Sequence, residues 1–380
     1  MNLPSLKIGK LEARVPIIQG GMGIGISLAG LASAVANQGG IGVISVTGLG
    51  FVHPVPNVHF KVGNVLSLRS EIQKARSLTK GLLGVNILIA LTDYGELAQT
   101  AWEEGIDFIF MGAGLPIQKP EAIPEATWRA ILTKVVPIVS SDRAARIICR
   151  HWSKHYQMVP DAFVLEGPRA GGHLGFNKIH LELPEYQLES LLPEVIEAVK
   201  PFEEKYQKPI SIIVGGGVFS GGDIFKFLQL GAQGVQLATR FIATYECDAA
   251  DAFKQSIVDC KQEDLVIIDS PVGLPGRAMK NAFLQSVTQG LNQPTQCPWK
   301  CLQTCDFTHA PYCIAKALLS AHTGELDKGF VFSGANAYRV EKITSVKELM
   351  DSLLAEYKTA VEYFLKKQAW YLTQAQLAAC

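Results

Sequence analysis

The feature that most constrains this chain is a regular alternation of short apolar runs with longer stretches of helix-forming residues. The runs predict eight strands: Val15–Gln19, Ile41–Ser45, Leu83–Ile87, Phe108–Met111, Val135–Val139, Ala162–Leu165, Ile210–Val214 and Gly234–Leu237. Strands that alternate with helices pair in parallel, and eight such units close into a (β/α)8 TIM barrel, an α/β fold. A doubly wound open sheet is the alternative, and the number of strands favours closure.

The stretches between the strands carry apolar residues at helical spacing. The clearest predicted helices are Leu28–Ala36, Tyr94–Glu104, Asp142–Lys154 and Gly222–Leu230. After residue 244 the alternation stops, and the sequence predicts a helix over Asp248–Val258 and a helical hairpin or one long helix over Ser345–Lys366. We therefore predict a barrel over residues 1–244 and an added, mostly helical region over residues 245–380 that covers the barrel mouth.

The balance of charge bears on the kind of partner to expect. The 380 residues include 35 Lys and Arg against 35 Asp and Glu, so no net field attracts nucleic acid or an acidic membrane. No apolar run is long enough to cross a bilayer, and residues 1–7 lack the pattern of a secretory signal. We expect a small-molecule partner and a cytoplasmic location, while the oligomeric state stays open.

In a TIM barrel, catalytic and binding groups lie at the carboxyl ends of the strands. The densest such segment follows the sixth strand and reads EGPRAGGHLG over residues 166–175. It contains His173, and histidine is the residue whose ordinary pKa suits acid–base chemistry near neutrality. The glycines around it let the backbone approach a ligand closely. We predict that His173 is catalytic, the alternative being a histidine that only satisfies carbonyls of a turn.

The last two strand ends predict a phosphate site. Gly215–Gly217 follows the seventh strand and leads through Ser220–Asp223 into a helix, while Gln236–Thr239 closes the eighth. In such barrels these two loops often bind phosphate with the help of a helix start. A tight turn that only needs positive φ is the alternative. The first strand is followed by a glycine loop, Gly20–Gly25, that does not match the dinucleotide-binding pattern.

Four separated segments carry a resemblance to a known family: Pro16–Gly23, Gly84–Asn86, Gly167–Gly175 and Val214–Phe241. Together they resemble the FMN-dependent nitronate monooxygenases, formerly called 2-nitropropane dioxygenases. The flavin-dependent enoyl-acyl-carrier-protein reductases share the barrel and these motifs. The resemblance covers roughly residues 1–281 and implies one non-covalently bound FMN at the barrel mouth.

Carried over by position, the resemblance implies a role for each matching residue, and it makes His173 the active-site histidine. The predicted cofactor contacts are Gly21, Met22, Asn86, Glu166, Gly171, Gly172, Gly216, Gly217, Gln236 and Thr239. Gly21 and Met22 would contact the flavin ring, and Asn86 the ring or the ribityl chain. Gly171 and Gly172 would line the cofactor, and the last four residues of the set would hold its phosphate.

The sequence departs from the family pattern at four of these positions or their neighbours. The family often has proline at Gly21, glycine at Ala238, an acid at Arg169 and glutamine at Glu166. A carboxylate at position 166 would disfavour an anionic reduced flavin, and we expect Arg169 to offset it. These departures bear on redox tuning and substrate charge.

The resemblance implies oxidation of alkyl nitronates by molecular oxygen to carbonyl compounds and nitrite. His173 would hydrogen-bond to the anionic substrate or take a proton from a neutral nitroalkane. Three alternatives remain. One is an NAD(P)H-dependent enoyl-acyl-carrier-protein reductase, another is a non-catalytic flavin-binding redox sensor, and the third is an isomerase without flavin on the same barrel.

The eight cysteines fall into two groups. The scattered ones, Cys149, Cys247, Cys260 and Cys380, are typical of small core residues. The clustered ones are Cys297, Cys301, Cys305 and Cys313. Pro298 suits the first turn of a helix, on which cysteines four residues apart would share one face. That face could hold zinc or an iron–sulfur cluster, but the spacing matches neither common pattern. A reduced packing face is favoured, so we predict no metal.

Overall fold

The structure is a computed structural model that describes the backbone of residues 3–378, and Cys380 lies outside the described residues. In chain order its strands are β1 (Leu6–Ile8), β2 (Leu11–Ala13), β3 (Ile17–Gln19), β4 (Ile41–Ser45), β5 (Leu82–Leu88), β6 (Phe108–Gly112), β7 (Lys134–Val139), β8 (Ala162–Glu166), β9 (Gly172–His173), β10 (Ser211–Gly215), β11 (Gly234–Leu237), β12 (Leu265–Asp269) and β13 (Pro275–Met279). The helices are α1 (Ala29–Asn37), α2 (Leu49–Val52), α3 (Phe60–Leu78), α4 (Tyr94–Glu103), α5 (Glu125–Ala130), α6 (Asp142–His155), α7 (Leu188–Tyr206), α8 (Gly221–Gln229), α9 (Thr239–Ile242), α10 (Asp251–Val258), α11 (Ala282–Thr288), α12 (Ile314–His322) and α13 (Val346–Ala378).

Eight parallel strands, β3 to β8 with β10 and β11, form a closed barrel. Closure is completed by β11 against β3, where Val235 pairs with Ile17. The predicted TIM barrel is therefore confirmed, and the open sheet is excluded. Each predicted barrel strand is present with small shifts at its ends, the largest being the first, which begins at Ile17 rather than Val15.

The barrel is filled by apolar side chains from alternate positions of its strands, because a strand points successive side chains to opposite faces. Phe108, Phe110 and Ile213 belong to this inner cluster, β1 adds Leu6 and Ile8 to it, and β2 adds Ala13. The β1–β2 hairpin was not predicted from the sequence. It packs under the barrel and leaves the opposite end, at the carboxyl ends of the strands, available for a site.

The region after residue 244 is mostly helical, as predicted, and contains α10 to α13. Its last element is one long helix, α13, so the helical hairpin considered for Ser345–Lys366 is wrong. A three-stranded antiparallel sheet of β12, β13 and β9 was not predicted. Buried residues from both sides of residue 244 pack in one apolar cluster, and the domain division at that residue stays a prediction.

The sheet of β12, β13 and β9 matters for the site because it carries the C-terminal region onto the barrel mouth. Gly276 of β13 pairs with His173 of β9, and Arg277 pairs with Gly172. Within the part of the chain that the structure describes, no helix is both long and apolar enough to cross a membrane.

Candidate active site

A cavity of about 590 Å³ opens at the carboxyl ends of the barrel strands. Most of the predicted site residues lie in its wall, although they come from the ends of four different barrel strands. They are Gly21, Met22, Asn86, Glu166, Gly171, Gly172, His173, Gln236 and Thr239. The C-terminal region supplies further wall residues, including Phe332 and Ser333. The structure thus brings the separated motifs to one place, as expected for loops at one end of a TIM barrel.

His173 is held by residues that sequence reasoning missed. Its Nε2 lies 2.7 Å from the hydroxyl oxygen of Ser270, and its ring meets Phe332 edge-on at 5.1 Å between centroids. Burial lowers the pKa of His173 to about 4, so the ring is uncharged at neutral pH. Ser270 follows β12, far along the chain, and nothing in its sequence neighbourhood signals this contact.

Arg277 fixes the backbone that leads to His173. Its guanidinium is buried and donates to the carbonyl oxygens of Pro168, at 2.9 Å, and Ala170, at 3.3 Å. Hydrogen bonds from a charged group to buried carbonyls are stronger than neutral ones. The β8–β9 loop is therefore tied to β13 rather than left to its own glycines. Arg277 was visible in the sequence only as a charged residue in a Gly- and Pro-rich stretch.

Glu166 ends β8 and lines the cavity. Removal from water is the cause that raises its pKa to about 7. The expectation that Arg169 offsets this carboxylate is wrong. Arg169 is exposed, and its charge acts on Glu189 instead, where it helps to lower the pKa. No ion pair joins Arg169 to Glu166 among the described residues.

Two predicted glycines are needed because other backbone or side-chain atoms approach them closely. A Cβ on Gly21 would lie 2.3 Å from the Cβ of Asn86, so the proline that the family often has here does not fit this backbone. A Cβ on Gly171 would lie 2.5 Å from the carbonyl carbon of Ser333. These bare positions let the backbone itself form parts of the cavity wall.

The predicted phosphate end is arranged differently from the expectation. Gly216 and Gly217 have positive φ of 82° and 135°, but they lie beside the cavity wall rather than in it. The start of α8 was expected to help bind the phosphate, and two of its backbone donors already have partners in the protein. The N–H of Ser220 donates to Asp223 at 2.9 Å, and that of Gly221 donates to Glu356 at 2.8 Å. Carboxylates of the protein therefore already use these donors.

The cavity has the features that a flavin requires. The hydroxyl of Ser333 is buried in the wall and has no hydrogen-bond partner among the described residues, and a buried unpaired polar group is costly unless a ligand satisfies it. Asn86, Gln236 and Thr239 add amide and hydroxyl groups, while Gly21 offers bare backbone. This set of donors and acceptors, with apolar walls between them, suits a flat ring system with polar edges.

Fold and site together define a TIM-barrel enzyme with a ligand cavity at the mouth of the barrel. The nitronate monooxygenase family model matches residues 4–356, and the chain belongs to that family. It is therefore a flavin-dependent oxidoreductase, and the resemblance stated from the four sequence segments is confirmed.

Known relatives agree with this assignment. A probable nitronate monooxygenase of Staphylococcus aureus (strain Newman) is 26% identical, over 73% of this chain and 79% of the relative. The solved structure of FabK from Thermotoga maritima has a TM-score of 0.70 and 27% identity, covering 93% of this chain and 95% of FabK. Nitroalkane oxidase from Streptomyces ansochromogenes shares the fold, with a TM-score of 0.69 at 21% identity over 93% of this chain and 98% of its own.

The clustered cysteines do not lie on a helix. Residues 289–313, between α11 and α12, contain no helix, so the predicted helix beginning at Pro298 is wrong. Cys297, Cys301, Cys305 and Cys313 line a separate cavity of about 330 Å³. Of the scattered cysteines, Cys149, Cys247 and Cys260 are buried in the apolar core, as predicted.

Proposed function

We propose that the chain binds FMN in this cavity and oxidises alkyl nitronates with molecular oxygen, giving carbonyl compounds and nitrite. Membership of the nitronate monooxygenase family supports the reaction class. The observation that carries the proposal is the position of His173 in the cavity wall, where its Nε2 lies 2.7 Å from the hydroxyl oxygen of Ser270. An uncharged imidazole at this position can act on a neutral nitroalkane and on a nitronate anion.

We assign the groups that hold FMN by the positions of the wall residues. As the resemblance implies, Gly21, Met22 and Asn86 of the cavity wall would contact the ring, while Gln236 and Thr239, with Gly216 and Gly217 nearby in the chain fold, would hold the phosphate. When bound, FMN supplies the electron-accepting chemistry that side chains cannot perform. The protein supplies position, and the apolar lining keeps competing water away.

His173 has two uses that follow from its lowered pKa. With a neutral nitroalkane, the uncharged ring accepts the proton next to the nitro group. With a nitronate, the arriving anion raises the pKa of the ring again, so the imidazole takes up a proton and pairs with the substrate. In both cases Ser270 and Phe332 fix the ring plane, so that the reacting nitrogen is oriented before substrate binds.

The test is an anaerobic titration of the FMN-bound protein, in which flavin absorbance is followed during addition of an alkyl nitronate or of NADPH. We expect the nitronate to bleach the flavin and NADPH to leave it oxidised, and admission of oxygen to release nitrite. Bleaching by NADPH alone would favour the enoyl-acyl-carrier-protein reductase. A flavin that neither compound bleaches would favour the non-catalytic redox sensor.

A further inference from the structure

The segment 289–313 connects α11 to α12 without a helix and with only an isolated pairing of Leu302 with Leu91. Most of its side chains are exposed or half-buried, and Leu302, Ala310 and Tyr312 are its buried ones. A stretch this long without regular structure is uncommon inside a compact fold, and where one occurs it is usually functional. Something other than its own apolar burial must hold this segment in place.

The four cysteines of this segment line one cavity, which we call the cysteine cavity. Cys297, Cys301, Cys305 and Cys313 are all half-buried and form no disulfide among the described residues, while the other wall residues are apolar, such as Phe307 and Ile314, or polar, such as Lys300 and Asp306. The buried cysteines of the core, such as Cys149, fill space between helices and strands instead.

One backbone N–H group is directed at a sulfur atom of the cysteine cavity. The N–H of Lys300 donates to the sulfur of Cys297 at 3.4 Å, and Lys300 adopts a positive φ of 47°. Cys313 occupies the N-cap of α12 without a side-chain capping bond. Hydrogen bonds from N–H groups to sulfur are among the features by which proteins tune iron–sulfur centres.

Hydrogen bonds near Cys301 also connect the segment 289–313 to the barrel. The N–H of Thr92 donates to the carbonyl oxygen of Cys301 at 3.1 Å, and the N–H of Gln303 donates to that of Ala90 at 2.8 Å. The hydroxyl of Thr92 donates to the carbonyl oxygen of Lys300 at 2.9 Å. The segment 289–313 is therefore fixed against the β5–α4 connection at the rim of the barrel.

The ligand set distinguishes a cluster from a single ion. Among the described residues, no group of three His, Cys, Asp or Glu side chains is placed to hold one metal ion. Zinc bonds to thiolates at about 2.3 Å and therefore draws four sulfur atoms tightly together. Four cysteines that line one cavity of about 330 Å³ without three of them being placed around one ion suit a larger body, and four Cys thiolates are the ligand set of iron–sulfur clusters.

We propose that Cys297, Cys301, Cys305 and Cys313 bind a cubane iron–sulfur cluster in the cysteine cavity. The site lies next to the flavin cavity. Cys301 lines a small neighbouring cavity together with His173, which in turn lines the flavin cavity. This assignment replaces the helical packing face expected from the sequence, because that face required a helix that does not form.

The test measures iron and acid-labile sulfide in the full-length protein purified without oxygen, and again after incubation with a ferrous salt and sulfide. We expect about four iron and about four sulfide per chain. After reduction with dithionite we also expect a low-temperature electron paramagnetic resonance signal that flavin does not give. The proposal is overturned by one zinc per chain without sulfide, and equally by protein that holds no iron after either treatment.

Variants locate the cluster. Cys301→Ser and Cys305→Ser should lose most of the iron and sulfide, whereas Cys149→Ser, in the core, should retain both. Flavin content is measured on the same samples, so iron-containing protein without flavin would support the cluster and count against the proposed function alone. Full iron content in both loop variants would contradict the assigned ligands. If a loop variant fails to fold, the wild-type stoichiometry decides.

Discussion

The charge of Glu166 depends on pH because the cavity raises its pKa from 4.5 to about 7. The folded protein therefore holds this proton more tightly than the unfolded chain. The resulting stabilisation is fully present below about pH 4.5 and is lost as pH rises through about 7. Glu166→Gln lacks this titrating group. We therefore expect the free energy of unfolding of the flavin-free variant to change with pH by about 2–3 kcal/mol less than that of the flavin-free wild type.

The measurement for Glu166 is denaturant unfolding of wild type and Glu166→Gln, from about pH 4.5 to about pH 8. The stability difference between the two proteins should change steadily across this range. Glu194→Gln, which alters an exposed glutamate on α7, serves as the matched control and should follow wild type. Parallel curves for Glu166→Gln and wild type would show that the carboxyl group is not perturbed by the cavity.

His173→Asn keeps a hydrogen-bonding side chain but removes the base. We expect flavin binding to persist, and kcat/KM with neutral nitroalkanes to fall about 100-fold or more, because general base catalysis is typically worth that much. In wild type this activity should be lost only as pH falls through about 4, where the ring becomes charged. Steady-state kinetics across pH tests both points, and unchanged kinetics in the variant would remove the catalytic role.

Ser270→Ala separates positioning from catalysis. It leaves the His173 ring but deletes its hydroxyl partner at 2.7 Å. We expect a smaller loss of activity than in His173→Asn, since the base remains but is less firmly oriented.

Among the elements, α13 lies across the start of α8 with its backbone in contact at Gly221. A Cβ on Gly221 would lie 2.2 Å from the carbonyl oxygen of Leu353 and 2.2 Å from the nitrogen of Tyr357. We expect Gly221→Ala to force the two helices apart and lower the free energy of unfolding by about 2–4 kcal/mol. Gly222→Ala is the control, because its Cβ would meet nothing nearer than 3.6 Å. Denaturant midpoints of both variants give the comparison, and equal values would contradict the close packing.

The sequence predicted those elements whose signal is local. Each barrel strand is a short apolar run buried on both faces, such as Ile41–Ser45, and this pattern needs no knowledge of the rest of the chain. In the sheet of β12, β13 and β9 only β12 has a comparable apolar run, Leu265–Ile268. β9 has two residues and β13 begins with Pro275 and Gly276, so the pairing of the three depends on the tertiary structure. The helix predicted at Pro298 failed because cysteine spacing says nothing about the backbone between the cysteines.

The residues of the candidate site also form two groups, those that the sequence could predict and those that it could not. Gly21, Asn86, Glu166 and His173 were predictable because a TIM barrel collects its strand ends at one mouth. Ser270, Arg277 and Ser333 were not, since each reaches the site from the C-terminal region through a contact across a long sequence separation. The hydrogen bond from the N–H of Gly221 at the start of α8 to Glu356 could not be predicted from the sequence either, because Glu356 belongs to α13.

At the scale of the whole molecule, the cavity is completed from two parts of the chain: the barrel strand ends, and a C-terminal region that adds Phe332 and Ser333. A ligand that fills it should therefore stabilise both parts at once. We expect saturating FMN to raise the melting temperature by a few degrees, because a ligand at about 100 times its Kd adds about 2.7 kcal/mol. Riboflavin should raise it less, since it lacks the phosphate assigned to the ends of β10 and β11. Equal shifts for the two compounds would contradict the phosphate assignment, and no shift with either would contradict flavin binding in this cavity.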